Sequence, residues 1–110
     1  MDTLLQALGT PRRREILDFV RLRERSAGEI HRALGPLTFG AVSQHLGVLE
    51  RAGLVSARRD GRRRLYLARP EGLEPLRRWL DLMWDDALGS LKELAEEEEK
   101  GRRRGRRRRR

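Results

Sequence analysis

Five residues between positions 40 and 51 share a spacing with a chemical use. Gly40, Ser43, Gln44, Gly47 and Arg51 recur at i, i+3, i+4, i+7 and i+11, which places them on one face of a helix. Val42, Leu46 and Leu49 recur at i, i+4 and i+7 on a different face, which must turn toward a core. A solvent-facing helix surface ordinarily carries Lys and Glu, whereas this one holds nothing long or charged before its last turn. So bare a face can enter the major groove of duplex DNA, where hydroxyl and amide side chains hydrogen-bond to base edges. Inside a helix each glycine is about 1 kcal/mol less favourable than alanine, a cost that close approach of a partner backbone would explain, with tolerated drift the alternative. Thr38 opens the helix as its N-cap. Phe39 either touches a thymine methyl or packs beneath the turn, and packing is the expectation. His45 lies between the two edges. With His31 as the only other histidine and no cysteine in the chain, a metal site is not expected. A half-buried imidazole that hydrogen-bonds a backbone group or a phosphate fits better.

A second cluster follows at once. Arg58, Arg59, Arg62, Arg63 and Arg64 surround Asp60-Gly61, a dipeptide favoured in two-residue hairpin turns. The flanking segments, Leu54–Arg59 and Arg62–Ala68, are expected to be strands, with Leu65 and Leu67 on the buried face. Five guanidiniums on one short protrusion repel one another unless an anion neutralises them. Phosphates, or the narrow minor groove of DNA, are the natural anions, and a merely solvated basic hairpin is the alternative.

The remaining elements must hold these two clusters in place. Asp2–Leu8 is a short helix candidate with Leu4, Leu5 and Leu8 on one side. Thr10-Pro11 starts another, expected to reach about Glu24, with Ile16, Leu17 and Val20 inward. Ser26 and Glu29 have capping-box spacing ahead of Ile30, Ala33 and Leu34, and Gly35-Pro36 stops that helix after about two turns. Two helices joined by a tight turn, the second stripped of bulky charge, form the pattern of a helix-turn-helix. Gly53 closes the helix that Thr38 opens. After Arg69-Pro70 a long helix is expected over about 71–96. Its apolar residues Leu73, Leu76, Leu80, Met83, Ala87, Leu91 and Leu94 step by 3, 4, 3, 4, 4 and 3, close to a heptad seam that Trp79, Trp84 and Leu88 widen. The element order is therefore ααα-α-ββ-α: mainly α, with a small β-hairpin.

Charge divides the chain into three. Residues 1–69 carry +7, residues 70–100 carry −6, and residues 101–110, eight arginines and two glycines, carry +8. The basic front suits a nucleic acid and the acidic back another task. We read residues 1–96 as one domain and 97–110 as a charged tail, expected to be disordered, that is either a sequence-independent polyanion hook or an arginine-rich extension of no selected function, the hook being the expectation. The absence of cysteine excludes disulfides, thiolate metal sites and cysteine nucleophiles. No apolar run approaches a membrane span and no signal peptide is recognisable, so a cytoplasmic, nucleoid-associated protein is expected. The chain offers no nucleophile–base pair and no phosphate-cradling glycine loop, so neither an enzyme nor a cofactor is expected.

Leu8–Val20 (LGTPRRREILDFV), Ala41–Val55 (AVSQHLGVLERAGLV) and Arg58–Tyr66 (RRDGRRRLY) together resemble the ArsR-type winged helix-turn-helix repressors, over roughly residues 4–95. The resemblance implies a homodimer built from the first and last helices, through Leu4, Leu5, Leu8, Leu73, Leu76, Leu80, Met83, Ala87 and Leu91. It implies repression of transcription from an inverted-repeat operator in double-stranded DNA. By position it gives Thr38, Ser43, Gln44 and His45 the recognition-helix contacts and Arg62 and Arg63 the wing contacts, while the bare helix face adds Gly40 and Gly47. Metal-sensing members carry cysteines near the recognition helix, or histidine and acidic pairs on the last helix. Here the last helix has Asp81, Asp85, Asp86 and Glu93 without histidine, which resembles the metal-independent branch. Phe39 and Gly40 replace the polar residue and proline common at those positions. An RNA-binding or protein-interaction winged helix that uses the arginine tail is the alternative function. It lacks an aromatic stacking surface in the first case and leaves the wing arginines idle in the second.

Overall fold

Short side-chain signals set the helix starts. Pro11 occupies the first turn of its helix behind an extended Thr10, which makes no side-chain cap. Ser26 and Glu29 close a full capping box: the Ser26 hydroxyl accepts from the Glu29 amide, and the Ser26 amide donates to the Glu29 carboxylate. That amide, together with Arg25, holds the Glu29 carboxyl below its usual pKa range. Thr38 Oγ1 accepts from the Ala41 amide. The computed structural model describes residues 1–108. In order, the elements are α1 (Asp2–Leu8), α2 (Pro11–Phe19), β1 (Arg25–Ser26), α3 (Ala27–Leu34), α4 (Phe39–Arg51), β2 (Val55–Asp60), β3 (Arg63–Ala68), a 3-10 turn (Pro70–Leu73) and α5 (Glu74–Arg108). The chain divides into a globular unit, Met1–Leu76, and the helix from Arg77 onward.

In the globular unit, Ile16 and Val20 of the α2 segment, Ile30 and Leu34 of α3, and Val42, Leu46 and Leu49 of α4 join Leu54, Val55 and Tyr66 in one buried cluster. The sheet is antiparallel in the order β1-β3-β2. This winged helix-turn-helix departs from the sequence expectation in several places. Helix α2 ends at Phe19 rather than near Glu24, because the Val20 carbonyl accepts from the Ala68 amide and turns the chain toward the sheet. Arg25–Ser26 then becomes the third strand. Pairing Asp60 with Arg63 leaves Gly61 and Arg62 as the turn, one residue later than expected. Gly61 has φ +64 there, the conformation that a primed hairpin turn requires. Leu65 is buried, but Tyr66, opposite Ala57 on the alternate face, is the residue that joins the core.

Three expected boundaries or assignments change toward the ends of the chain. Leu4, assigned from sequence to the dimer face, is 5% exposed and packs inward with Ala7, which leaves Leu5 outside. Leu73 belongs to the 3-10 turn, and α5 begins at Glu74. The last helix continues past residue 96 to Arg108, because Glu, Lys and Arg are good helix formers and no proline intervenes. Of the tail expected to be disordered, residues 109–110 lie outside the described residues.

The 3-10 turn seats on the end of α4 by backbone contact. Gly53, at φ +75, ends that helix, and the Arg69 amide donates to the Leu54 carbonyl at 2.7 Å. A Cβ at Gly72 would collide with the Gly53 carbonyl. We therefore expect Gly72→Ala to lower stability by about 1–3 kcal/mol in urea unfolding. Gly47→Ala, whose methyl meets only the mobile end of Arg51 at 3.4 Å, should instead gain about 0.5–1 kcal/mol. Equal effects from the two variants would contradict the close approach.

Candidate nucleic-acid interface

Helix α4 is anchored by one edge. Val42, Leu46 and Leu49 are no more than 1% exposed. The turn before it is fixed by Gly35, at φ +79, and by His31, whose Nε2 donates to the Leu37 carbonyl at 2.8 Å. The His31 ring meets Phe39 edge-on, with centroids 5.7 Å apart. Phe39 packs on the turn through this contact while remaining 53% exposed.

The outward face of α4 forms the wall of an open cleft of about 480 Å³. Gly40, Ser43, Gln44 and Gly47 line it together, as their spacing requires, and His45 and Val48 line it too, while Thr38 sits outside with its hydroxyl oxygen engaged as the cap. Arg51 closes the far end of the cleft. Arg13, on α2, lines it too. No carboxylate is among the lining residues. Such a cleft repels no phosphate and presents small polar groups between two guanidiniums.

Sequence reasoning missed Arg13, because nothing distinguishes it from Arg12 and Arg14 until the helices are assembled. Its Nε donates to the Ala7 carbonyl at 2.7 Å and one terminal nitrogen to the Gln6 carbonyl at 2.8 Å. Both carbonyls belong to the last turn of α1, where a cation also meets the negative end of the helix dipole. The other terminal nitrogen faces His45 Nδ1 at 3.4 Å. A guanidinium cannot accept a hydrogen bond, so Nδ1 is the acceptor and the neutral imidazole carries its hydrogen on Nε2. Burial, with the charges of Arg13 and Arg12, holds the His45 pKa below the usual imidazole range. His45 is therefore tied through Arg13 to α1, with its Nε2 hydrogen left free to donate.

The wing is less free than its sequence suggests. Arg58 pairs with Glu24 at 2.6 Å, Arg64 pairs with Glu50 at 2.9 Å, and Arg63 reaches Asp60 at 3.4 Å. Arg64 also lies over the Tyr66 ring, 5.8 Å from its centroid. The expected mutual repulsion is thus relieved within the chain for these three. Arg59 and Arg62 are exposed and make no ion pair among the described residues.

The residues assigned to self-association separate by element. Leu5 is 47% exposed on α1, and Leu73 is 39% exposed on the 3-10 turn. Leu8 and Leu76 are half-buried against the core of the globular unit. On α5, Leu80, Met83, Ala87 and Leu91 are exposed in the single chain, together with Trp79, Trp84, Leu88 and Leu94. No helix among the described residues is long and apolar enough to cross a membrane.

Known proteins with this architecture share its sequence. Residues 10–57 match the family described as bacterial regulatory protein, arsR family. The HTH-type transcriptional regulator Rv2034 of Mycobacterium tuberculosis is 41% identical over 97 residues, 88% of this chain and 90% of that protein. The crystal structure of a possible transcriptional regulator for arsenical resistance is 38% identical and superposes with a TM-score of 0.66, covering 81% of this chain and 92% of that one. The solution structure of the homodimeric winged helix-turn-helix DNA-binding domain of Mb0332 from Mycobacterium bovis is 32% identical with a TM-score of 0.61, covering 77% and 78%. With the bare face of α4, the arginine wing and an alignment that runs most of the length of both proteins, the chain belongs to the ArsR family of winged helix-turn-helix transcriptional regulators.

Proposed function

We propose that this regulator is a cytoplasmic repressor that binds an inverted-repeat operator as a homodimer. The observation that carries the reading is the cleft on α4, where Ser43, Gln44 and His45 stand among small residues with no carboxylate between them. Ser43 and Gln44 read base edges. Arg13 and the unpaired wing residues Arg59 and Arg62 hold phosphates, and the arginine tail adds a sequence-independent contact. Dimerisation is supported by the apolar strip on α5 from Trp79 to Leu94, whose large side chains are 47–67% exposed in the single chain. The homodimeric form of the Mycobacterium bovis relative supports it as well. Two α4 helices then address two half-sites, which is why the operator should be palindromic.

Selection from a random duplex library should return an inverted repeat. On that site Ser43→Ala and Gln44→Ala should each weaken binding by about 1–3 kcal/mol, with little change on random DNA. Equal losses on both DNAs would refute direct readout. Arg62→Ala should weaken binding to every sequence and reduce the slope of log affinity against log salt by about 0.9 per half-site, about 1.8 for the dimer. Arg64→Ala should reduce it less, since Glu50 already neutralises that charge. In sedimentation at micromolar concentration the chain should run as a dimer, and Leu91→Asp should shift it to monomer and weaken operator binding. A wild-type monomer under those conditions would sink the dimer assignment.

A further inference from the structure

A second cleft, of about 440 Å³, shares no residue with the one on α4. Its surface is mainly apolar, supplied by Leu8, Leu17, Leu54 and Leu73. Three guanidiniums, those of Arg14, Arg21 and Arg69, stand around it beside the single carboxylate of Asp18. Their states differ. Arg14 is held by the Leu8 carbonyl at 2.6 Å, and Arg69 is paired with Glu71 at 3.0 Å. Arg21 is exposed and has no ion-pair partner among the described residues. With Asp18 and Glu71 counted against the three arginines, one positive charge is left over at the rim.

We propose that this cleft binds a small amphipathic monoanion, an alkyl or aryl carboxylate. The volume falls in the range of small-molecule sites, which are mostly apolar with a few polar groups that fix orientation. The apolar body lies over Leu17 and Leu54, and the carboxylate meets Arg21, the guanidinium with its hydrogen-bonding capacity free. A neutral ligand leaves that charge unanswered, and a cation is repelled by it. A dianion exceeds the one charge available. The site does not depend on the DNA-binding reading, but its rim residues Leu8 and Leu73 are two that the resemblance assigns to the dimer, so it requires that the partner copy leave the cleft open.

Calorimetric titration of the full chain with octanoate, 1-octanol and octylamine tests this. Octanoate should bind saturably, one per chain, ~threefold to fivefold more tightly than 1-octanol, with octylamine weaker still. Arg21→Gln, an exposed substitution that spares the fold, should cut octanoate affinity ~threefold to fivefold and leave 1-octanol unchanged. Ala68→Leu, which fills the floor, should abolish both, with urea unfolding to confirm that the variant is folded. Absence of saturable octanoate binding, as when a second copy of the chain fills the cleft, overturns the proposal. So does equal affinity for acid and alcohol, or octanoate binding unchanged in both variants. Operator binding without added ligand, measured on the same preparation, tests the DNA reading separately.

Discussion

Burial of three side chains on α4 is the constraint on which the rest depends. Val42, Leu46 and Leu49 have almost no exposed surface, and they lock the helix against α2, α3 and β2. Each such side chain is worth roughly 1.5–3 kcal/mol when buried. The outer face contributes nothing comparable. It carries two glycines, and of its polar residues His45 alone makes a side-chain hydrogen bond among the described residues. The helix is therefore stabilised almost wholly from behind, which leaves its front free to be small. A front built for stability, with Glu–Lys pairs along it, would be too bulky and too charged to enter a groove.

Position matters as much as stability, and here the backbone of the preceding turn does the fixing. Gly35 adopts a conformation that side chains rarely tolerate, His31 bonds the Leu37 carbonyl, and Thr38 caps the first turn. Arg13 then ties His45 to the end of α1. A displacement of α1 must break a charge-assisted contact to two carbonyls or carry His45 with it. The first helix and the exposed face of α4 are thus joined by one guanidinium.

The parts of this structure legible in the sequence are those governed by local periodicity and capping. Both edges of α4, the capping box at Ser26 and the closing glycine at position 53 follow from spacing alone. What escaped depends on partners distant in the chain. A two-residue strand such as Arg25–Ser26 has no period, and exists because β3 offers an unpaired edge. The one-residue shift of the hairpin turn changes which residues pair, and the buried aromatic ring of Tyr66 rather than the leucines fills the core. Leu4 and Leu5 are both leucines in one helix, and only the packing of Ala7 shows which points inward. Arg13 becomes distinct from its neighbours only beside His45.

The wing shows the same limit for charge. Glu24 is 34 residues from Arg58 and Glu50 is 14 from Arg64, so no local reading pairs them. Exposed ion pairs of this kind contribute about 0–1 kcal/mol, so phosphates can exchange for the carboxylates at little cost. Until that exchange, the pairs orient the guanidiniums and damp the field of the hairpin. The wing therefore carries less unpaired charge than its five arginines imply. On the proposed DNA-binding reading, indiscriminate attraction would fall to Arg59, Arg62 and the arginine tail, whereas exchange at Arg58 and Arg64 would require phosphates at particular places. A regulator that must leave random DNA to find one site gains discrimination from charges that are held back until the geometry is right.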